Sequence, residues 1–352
     1  MLIAPLAVAA VVGGGYTTWN NLSARRSCLS CHEIAPAYDT WVNSAHRKLA
    51  CKDCHGTAAS NGLHSLREKS RMVLVHYFGK PPQEIRPNET QVLEIMDRCS
   101  GCHRSQQADW LRSGHSATYA SIFLNQTHNR TERLYADCLK CHGMFFGGGI
   151  ADLVEPLDTK GPWRLKRTDQ AGRPVIPCLT CHKIHSRGEP ATPPDYSSPQ
   201  TITAQRKESP SPLVWYDRYT GLHLRSEDIV MPAISDGGRI VQVSDDHRQR
   251  ACTQCHAPDP FGEAGTSDDR TPKGVHEGIS CLACHSAHSQ ETRLSCGGCH
   301  PAISNCGLDV TKMDTTFRGR NSRHNIHFVK CADCHVRGVP QKKFAKTRKP
   351  NR

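Results

Sequence analysis

Apolar positions are unevenly spread along the chain. From Met1 to about Tyr16 almost every residue is apolar or Gly, and the stretch runs on to Trp19 or Leu22 before it meets a charge. A run of that length predicts a membrane-spanning helix over residues 1–22, with Trp19 at the interface. A cleaved export signal is the competing reading, since the run is rich in Ala and lacks a basic start. Retention is favoured because the first cysteine, Cys28, leaves little room for a spacer after cleavage. No second hydrophobic span follows, so the rest of the chain is expected on one side of the membrane.

Beyond the anchor the patterning is weak. Residues 66–77 and 90–98 have helical composition, and residues 239–243 form the best strand candidate. Between Arg187 and Leu213 lie six prolines among Ser and Thr, the composition of an extended linker. The expectation is a mainly α fold with much irregular structure and little β, organised by its cofactors and led by a transmembrane helix. Its parts are an anchor or signal peptide (1–22), an N-terminal domain (23–186), a Pro-rich linker (187–213), a C-terminal domain (214–340) and a basic tail (341–352).

Composition sharpens this picture. Only 37% of the 352 residues are hydrophobic, 6% are aromatic, and 19 cysteines are counted among the apolar set. So little apolar surface does not offset the entropy of ordering such a chain, and something other than side chains must fill the interior. The cysteines identify it. Every CxxC is followed at once by His: Cys28, Cys31, His32; Cys51, Cys54, His55; Cys99, Cys102, His103; Cys138, Cys141, His142; Cys178, Cys181, His182; Cys252, Cys255, His256; Cys281, Cys284, His285; Cys296, Cys299, His300; and Cys331, Cys334, His335. In CxxCH two thiols add to the vinyl groups of a haem, and the adjacent imidazole is held against the iron as proximal ligand. Nine motifs predict nine covalently bound haems c, five before the linker and four after. Tetrahedral zinc sites do not require His after every second Cys, and no CxxCxxC of an iron–sulfur cluster occurs. The remaining Cys306 reads as a small buried thiol rather than a sulfur-chemistry site.

The formal charge of +12 would suggest nucleic acid or an anionic surface. Eighteen propionates and about nine ferric charges bring the oxidised holoprotein near about +3, so many Lys and Arg become propionate partners and nucleic acid is not expected.

Twelve histidines lie outside the motifs, enough for a distal ligand on every iron. Three spacing devices select among them. Trp41–Ser44–His46 and Trp110–Ser113–His115 share the pattern WxxSxH and read as copies of one unit. His46, His247, His276 and His327 each stand four or five residues ahead of a motif, where random placement gives roughly 0.7 such cases. His185 and His288 complete CxxCHxxH, too close to reach the far face of their own iron and therefore aimed at a neighbouring one. Distal ligands are thus assigned to His46, His115, His185, His247, His276, His288 and His327, with His76 and His128 as further candidates; His64, His223 and His324 are left open.

The first hundred residues carry a family resemblance. The apolar leader, CysLeuSerCysHisGluIle at 28–34, Ser44 to His46, CysLysAspCysHis at 51–55, the basic helical stretch through Arg71 and CysSerGlyCysHis at 99–103 together resemble the NapC/NirT/NrfH membrane-anchored quinol dehydrogenases. The resemblance covers under a third of the chain. It implies electrons taken from quinol, or from a membrane oxidoreductase, and passed to a periplasmic or extracellular redox protein, with the haem domain on the periplasmic face of the inner membrane. One departure stands out: where that family typically has Met, this chain has Ile34, which cannot ligate iron. The leading expectation is an electron-transfer protein and not an enzyme, alone or within a larger complex. The alternatives are a multihaem enzyme acting on a nitrogen or sulfur compound at one open iron, and a haem subunit of an assembly or filament. No motif replaces the proximal His by Lys, which counts against the enzyme.

Overall fold

The computed structural model describes residues 3–21, 28–29, 31–80, 86–130, 132–157, 160–185, 213–257, 262–265, 269–289, 292, 296 and 326–330. Cys299, His300, Cys331, Cys334, His335, Cys306, His324, the linker from 187 to 212 and the tail from 341 lie outside the described residues, as do the side chains of His64 and His128. The chain divides into two compact units. The first takes in Met1–Thr192, Ser209–Ile229 and His288–Gln290; the second takes in Pro193–Glu208, Val230–Ala287 and Glu291–Arg352.

The expected transmembrane helix is overturned. Helix α1, Ile3–Asn21, is present, yet among the described residues no helix is long and apolar enough to cross a membrane. The physical reason lies in its second half. Uninterrupted apolar sequence ends at Val12, so it covers about 15 Å of a hydrocarbon core of about 30 Å. Three glycines, Tyr16 and two threonines follow. Leu6, Val8, Val11 and Val12 stay exposed on α1.

The rest of the first unit is short helices: α2 (Ala35–Val42), α3 (Cys51–His55), α4 (Ala58–Phe78), α5 (Glu89–Cys102), α6 (Arg104–Leu111), α7 (Tyr119–Phe123) and α8 (Cys138–His142). The two longest carry side-chain caps. Thr57 accepts from Ser60 N to start α4, and Asn88 accepts from Gln91 N to start α5, each satisfying an otherwise orphaned donor.

A compact aromatic core sits behind α7 and α8. Tyr119, Phe123, Leu139, Phe146, Leu153, Val154, Trp163 and Val175 are buried together. Tyr119 donates to Glu89 Oε1 at 2.6 Å, and Arg173 holds the other carboxylate oxygen at 3.2 Å, so the buried Glu89 beside this core is paired. Burial first, and then the Glu89 charge, pushes the Tyr119 hydroxyl well above its ordinary range.

Strand structure consists of antiparallel pairs: β1 (Val154–Glu155) with β2 (Arg164–Leu165), β3 (Val214–Asp217) with β4 (Leu222–Arg225), and β5 (Ser235–Asp236) with β6 (Arg239–Ile240). The β3–β4 hairpin has no counterpart in the pattern of the sequence, and its turn explains it. Asp217 accepts from Tyr219 N, Thr220 N and the Thr220 hydroxyl, while Gly221 takes a φ of +66° that a side chain would resist.

In the second unit α9 (Gln249–His256) and α10 (Cys281–Cys284) pack together. Gln249 Oε1 accepts from Cys281 N at 3.1 Å and Ser280 donates to Asp246 at 2.8 Å, locking the two helix starts. Ile234, Val241 and Ala264 form a small separate core beneath β5 and β6.

Candidate haem-iron sites

Among the described residues six of the attachment motifs sit on helical turns: α3, the end of α5, α8, the 3-10 turn Cys178–Thr180, the end of α9, and α10. A helical period puts residues three and four apart on one face, so both thiols and the following imidazole project to one side. The turns are held locally. Asp53 accepts from Ala50 N at 2.8 Å to cap α3, and Arg98 on α5 donates to the Cys54 carbonyl at 3.0 Å.

Histidine rings face one another across the space an iron would need. The centroids of His46 and His103 are 6.0 Å apart. Those of His55 and His185 are 6.1 Å apart with planes 15° from parallel. His182 and His288 lie at 5.9 Å and 9°, and His285 and His327 at 6.1 Å and 9°. Two imidazoles sharing one metal, at about 2.0 Å per bond and about 1.1 Å from nitrogen to ring centre, put their centroids about 6.2 Å apart. Direct stacking does not need so wide a gap. In each pair one ring belongs to a CxxCH and the other to the distal candidates.

Burial first, and then the facing imidazole, pushes His55, His182 and His327 each down to about 4. His55 is itself exposed to solvent, so the burial contribution is weakest there. All three are neutral at pH 7, the form that binds a metal. His247 Nε2 is buried with no hydrogen-bond partner, as a nitrogen reserved for a metal would be. His276 donates from Nδ1 to the Ile326 carbonyl at 2.9 Å, which fixes the ring and leaves Nε2 to face outward from that bond. The donor set therefore fits haem iron.

The WxxSxH repeat has one structure in both copies. Ser44 donates to the Trp41 carbonyl at 2.8 Å and accepts from His46 N at 3.1 Å. Ser113 donates to the Trp110 carbonyl at 2.8 Å and accepts from His115 N at 3.2 Å. The serine closes the helix and aims the histidine behind it. His115 is lowered by burial and then by nearby His288. His223, left open by the spacing, hydrogen-bonds the Leu179 carbonyl at 2.8 Å through Nε2.

At the first motif, His32, Glu33 and His76 bring ligand atoms within 4.8 Å of one another. His76, from α4, binds Glu33 through Nδ1 in a short contact, and its ring centroid is 5.3 Å from that of His32. Glu33 was not visible as a site residue in the sequence, because its partner stands 43 residues away. Its own backbone N–H first, then His76 and His32, hold its carboxyl below the ordinary range.

Residues 17–191 match the family model of outer membrane cytochrome MtrC/MtrF-like domains II/IV, and residues 230–286 match that of cytochrome c554 and c-prime. Among curated proteins, the cytochrome c-type protein NrfH of Wolinella succinogenes is 23% identical over 145 residues, covering 40% of this chain and 78% of that protein. No solved structure gives a significant match.

Proposed function

The chain is a multihaem c-type cytochrome that transfers electrons, and on that premise we propose that all nine motifs carry haem c and that the protein is a relay rather than an enzyme. Its donor is the quinol pool or a membrane oxidoreductase, its acceptor a periplasmic or extracellular redox protein, and its haem-bearing part works outside the cytoplasm on the periplasmic face of the inner membrane. The resemblance of its first hundred residues to quinol dehydrogenases and the likeness to NrfH support the direction of flow.

When bound, each haem supplies an iron that alternates between ferric and ferrous states. The chain's own part is to hold that iron. Proximal positions fall to the nine motif histidines, and distal positions to His46, His115, His185, His247, His276, His288 and His327, with His76 and His128 as further ligands. One observation carries this reading: imidazoles of the distal set lie about 6 Å from motif histidines, centroid to centroid, in both units. Two imidazoles on an iron leave no position for a substrate at that iron, which suits a relay.

Low-temperature electron paramagnetic resonance of the oxidised holoprotein tests it, with haem content fixed by pyridine haemochrome and intact mass. Nine haems, all low-spin, are expected. A high-spin iron that responds to nitrite, hydroxylamine or a sulfur oxyanion would make the protein an enzyme.

A further inference from the structure

The spacing CxxCHxxH says only that His185 serves some iron other than its own. The structure names that iron. His185 lies three residues beyond His182, the proximal histidine of the fifth motif. Its ring faces His55, the proximal histidine of the second motif, at 6.1 Å and 15°. We propose that His185 is the distal ligand of the haem held by Cys51 and Cys54, so that the second and fifth haem sites are direct neighbours although 127 residues of sequence separate Cys51 from Cys178.

Independent packing supports the juxtaposition. Helix α5, which ends in the third motif, packs on α3 and on the Cys178–Thr180 turn at once. Arg98 of that helix grips the Cys54 carbonyl of the second motif. The fifth motif is clamped on the other side. Trp110 Nε1 donates to the Ile176 carbonyl at 3.2 Å, Val214 N donates to the Cys181 carbonyl at 2.9 Å, and His223 bonds the Leu179 carbonyl. With both attachment segments fixed to common elements, the position of His185 is set by the fold rather than by a wandering loop. Three residues of chain span at most about 11 Å, which bounds the separation between the backbone of the fifth haem's proximal ligand and that of the second haem's distal ligand. His46 extends the cluster: five residues ahead of the second motif, it faces the third motif's His103 at 6.0 Å. The second site thus adjoins both the third and the fifth.

This inference rests on the reading that facing histidines share an iron, and the test separates the two. In the full-length holoprotein, His185→Ala is expected to keep all haems attached and to convert one equivalent of low-spin ferric haem to high spin, restored by added imidazole. The same substitution in a Cys51→Ala/Cys54→Ala background, which lacks the second haem, is expected to add no high-spin signal. A high-spin signal in that background assigns His185 to a different iron and overturns the proposal while leaving the relay intact. No high-spin signal in the single variant shows that His185 is no ligand and overturns it likewise. High-spin irons throughout the unmodified protein overturn the facing-histidine reading itself. Should the cysteine variant fail to accumulate, a side-chain-resolution map of the holoprotein decides: His55 and His185 on one iron support the proposal, and on separate irons they refute it.

Discussion

Replacing Ser44 with Ala tests how a distal histidine is kept on its iron. Ser44 is buried, at 4% exposure, and its hydroxyl makes two bonds: it donates to the Trp41 carbonyl at 2.8 Å and accepts from His46 N at 3.1 Å. The Trp41 carbonyl keeps a second donor, Ser44 N at 3.0 Å, so it is not orphaned by the change. The His46 N–H loses the acceptor that orients it. Removing one partner of a buried bond costs about 1–2 kcal/mol. That loss falls on the closed arrangement of the 41–46 turn, in which His46 faces His103. A shift of about 1–2 kcal/mol raises the population of the open arrangement roughly 5- to 30-fold. Cyanide or carbon monoxide must wait for that opening before reaching the iron. Stopped-flow binding to the holoprotein should therefore show one haem reacting roughly 5- to 30-fold faster in Ser44→Ala than in the unmodified protein, with haem content unchanged. Unchanged rates for every haem would refute the argument that serine aims the ligand.

Ser113→Ala, in the second copy of the unit, should accelerate ligand binding at one further haem and add to the Ser44 effect, because the two turns share no hydrogen bond; stopped-flow traces of the double variant measure this. Glu33→Gln should raise the reduction potential of a single haem, read by spectroelectrochemistry, since the amide accepts a proton bond from His76 without the charge that favours ferric iron; a change spread over all haems would count against it. Tyr119→Phe should lower denaturant stability by about 1.5–3 kcal/mol, because Glu89 loses a charge-assisted bond inside the core. Glu263, held below its ordinary range by Gly237 N–H first and then the Ser235 hydroxyl, binds fewer protons folded than unfolded. Its contribution is therefore full above the unfolded carboxylate pKa and fades as pH falls through the lowered folded value, which hydrogen exchange of residues 235–241 at pH 7 and pH 4 should register as lost protection.

The chemistry of this chain is written locally and its architecture is not. Thioether formation needs two thiols and an imidazole within five residues, so the motifs are legible without a structure. The tandem unit around Ser44 and Ser113 is legible as a repeat, but the role of its serine emerges only from the paired hydrogen bonds. Spacing marks His185 and His288 as ligands for other irons without saying which, because that depends on contacts across more than a hundred residues. Glu33 is invisible for the same reason. Absence of charge over residues 1–22 is not apolarity: Gly13–Gly15 and the polar residues after them interrupt the run at Val12, and the membrane helix that the uncharged stretch predicts is not formed among the described residues. The β3–β4 hairpin is hard to see in the sequence because its signal lies in Asp217 and Gly221, turn residues flanked by only four residues of strand on either side.

A shared iron between His55 and His185, as proposed above, would also set a timetable for manufacture. A chain exported amino-terminus first presents Cys51 and Cys54 for haem attachment long before residue 185 has crossed. On that proposal thioether bonds form early, while the second iron would wait for its second imidazole until the fifth motif has been delivered and has docked. Covalent capture and final ligation become separate events, and a product truncated short of Lys183 would be fully stitched to its early haems yet carry an unfinished iron.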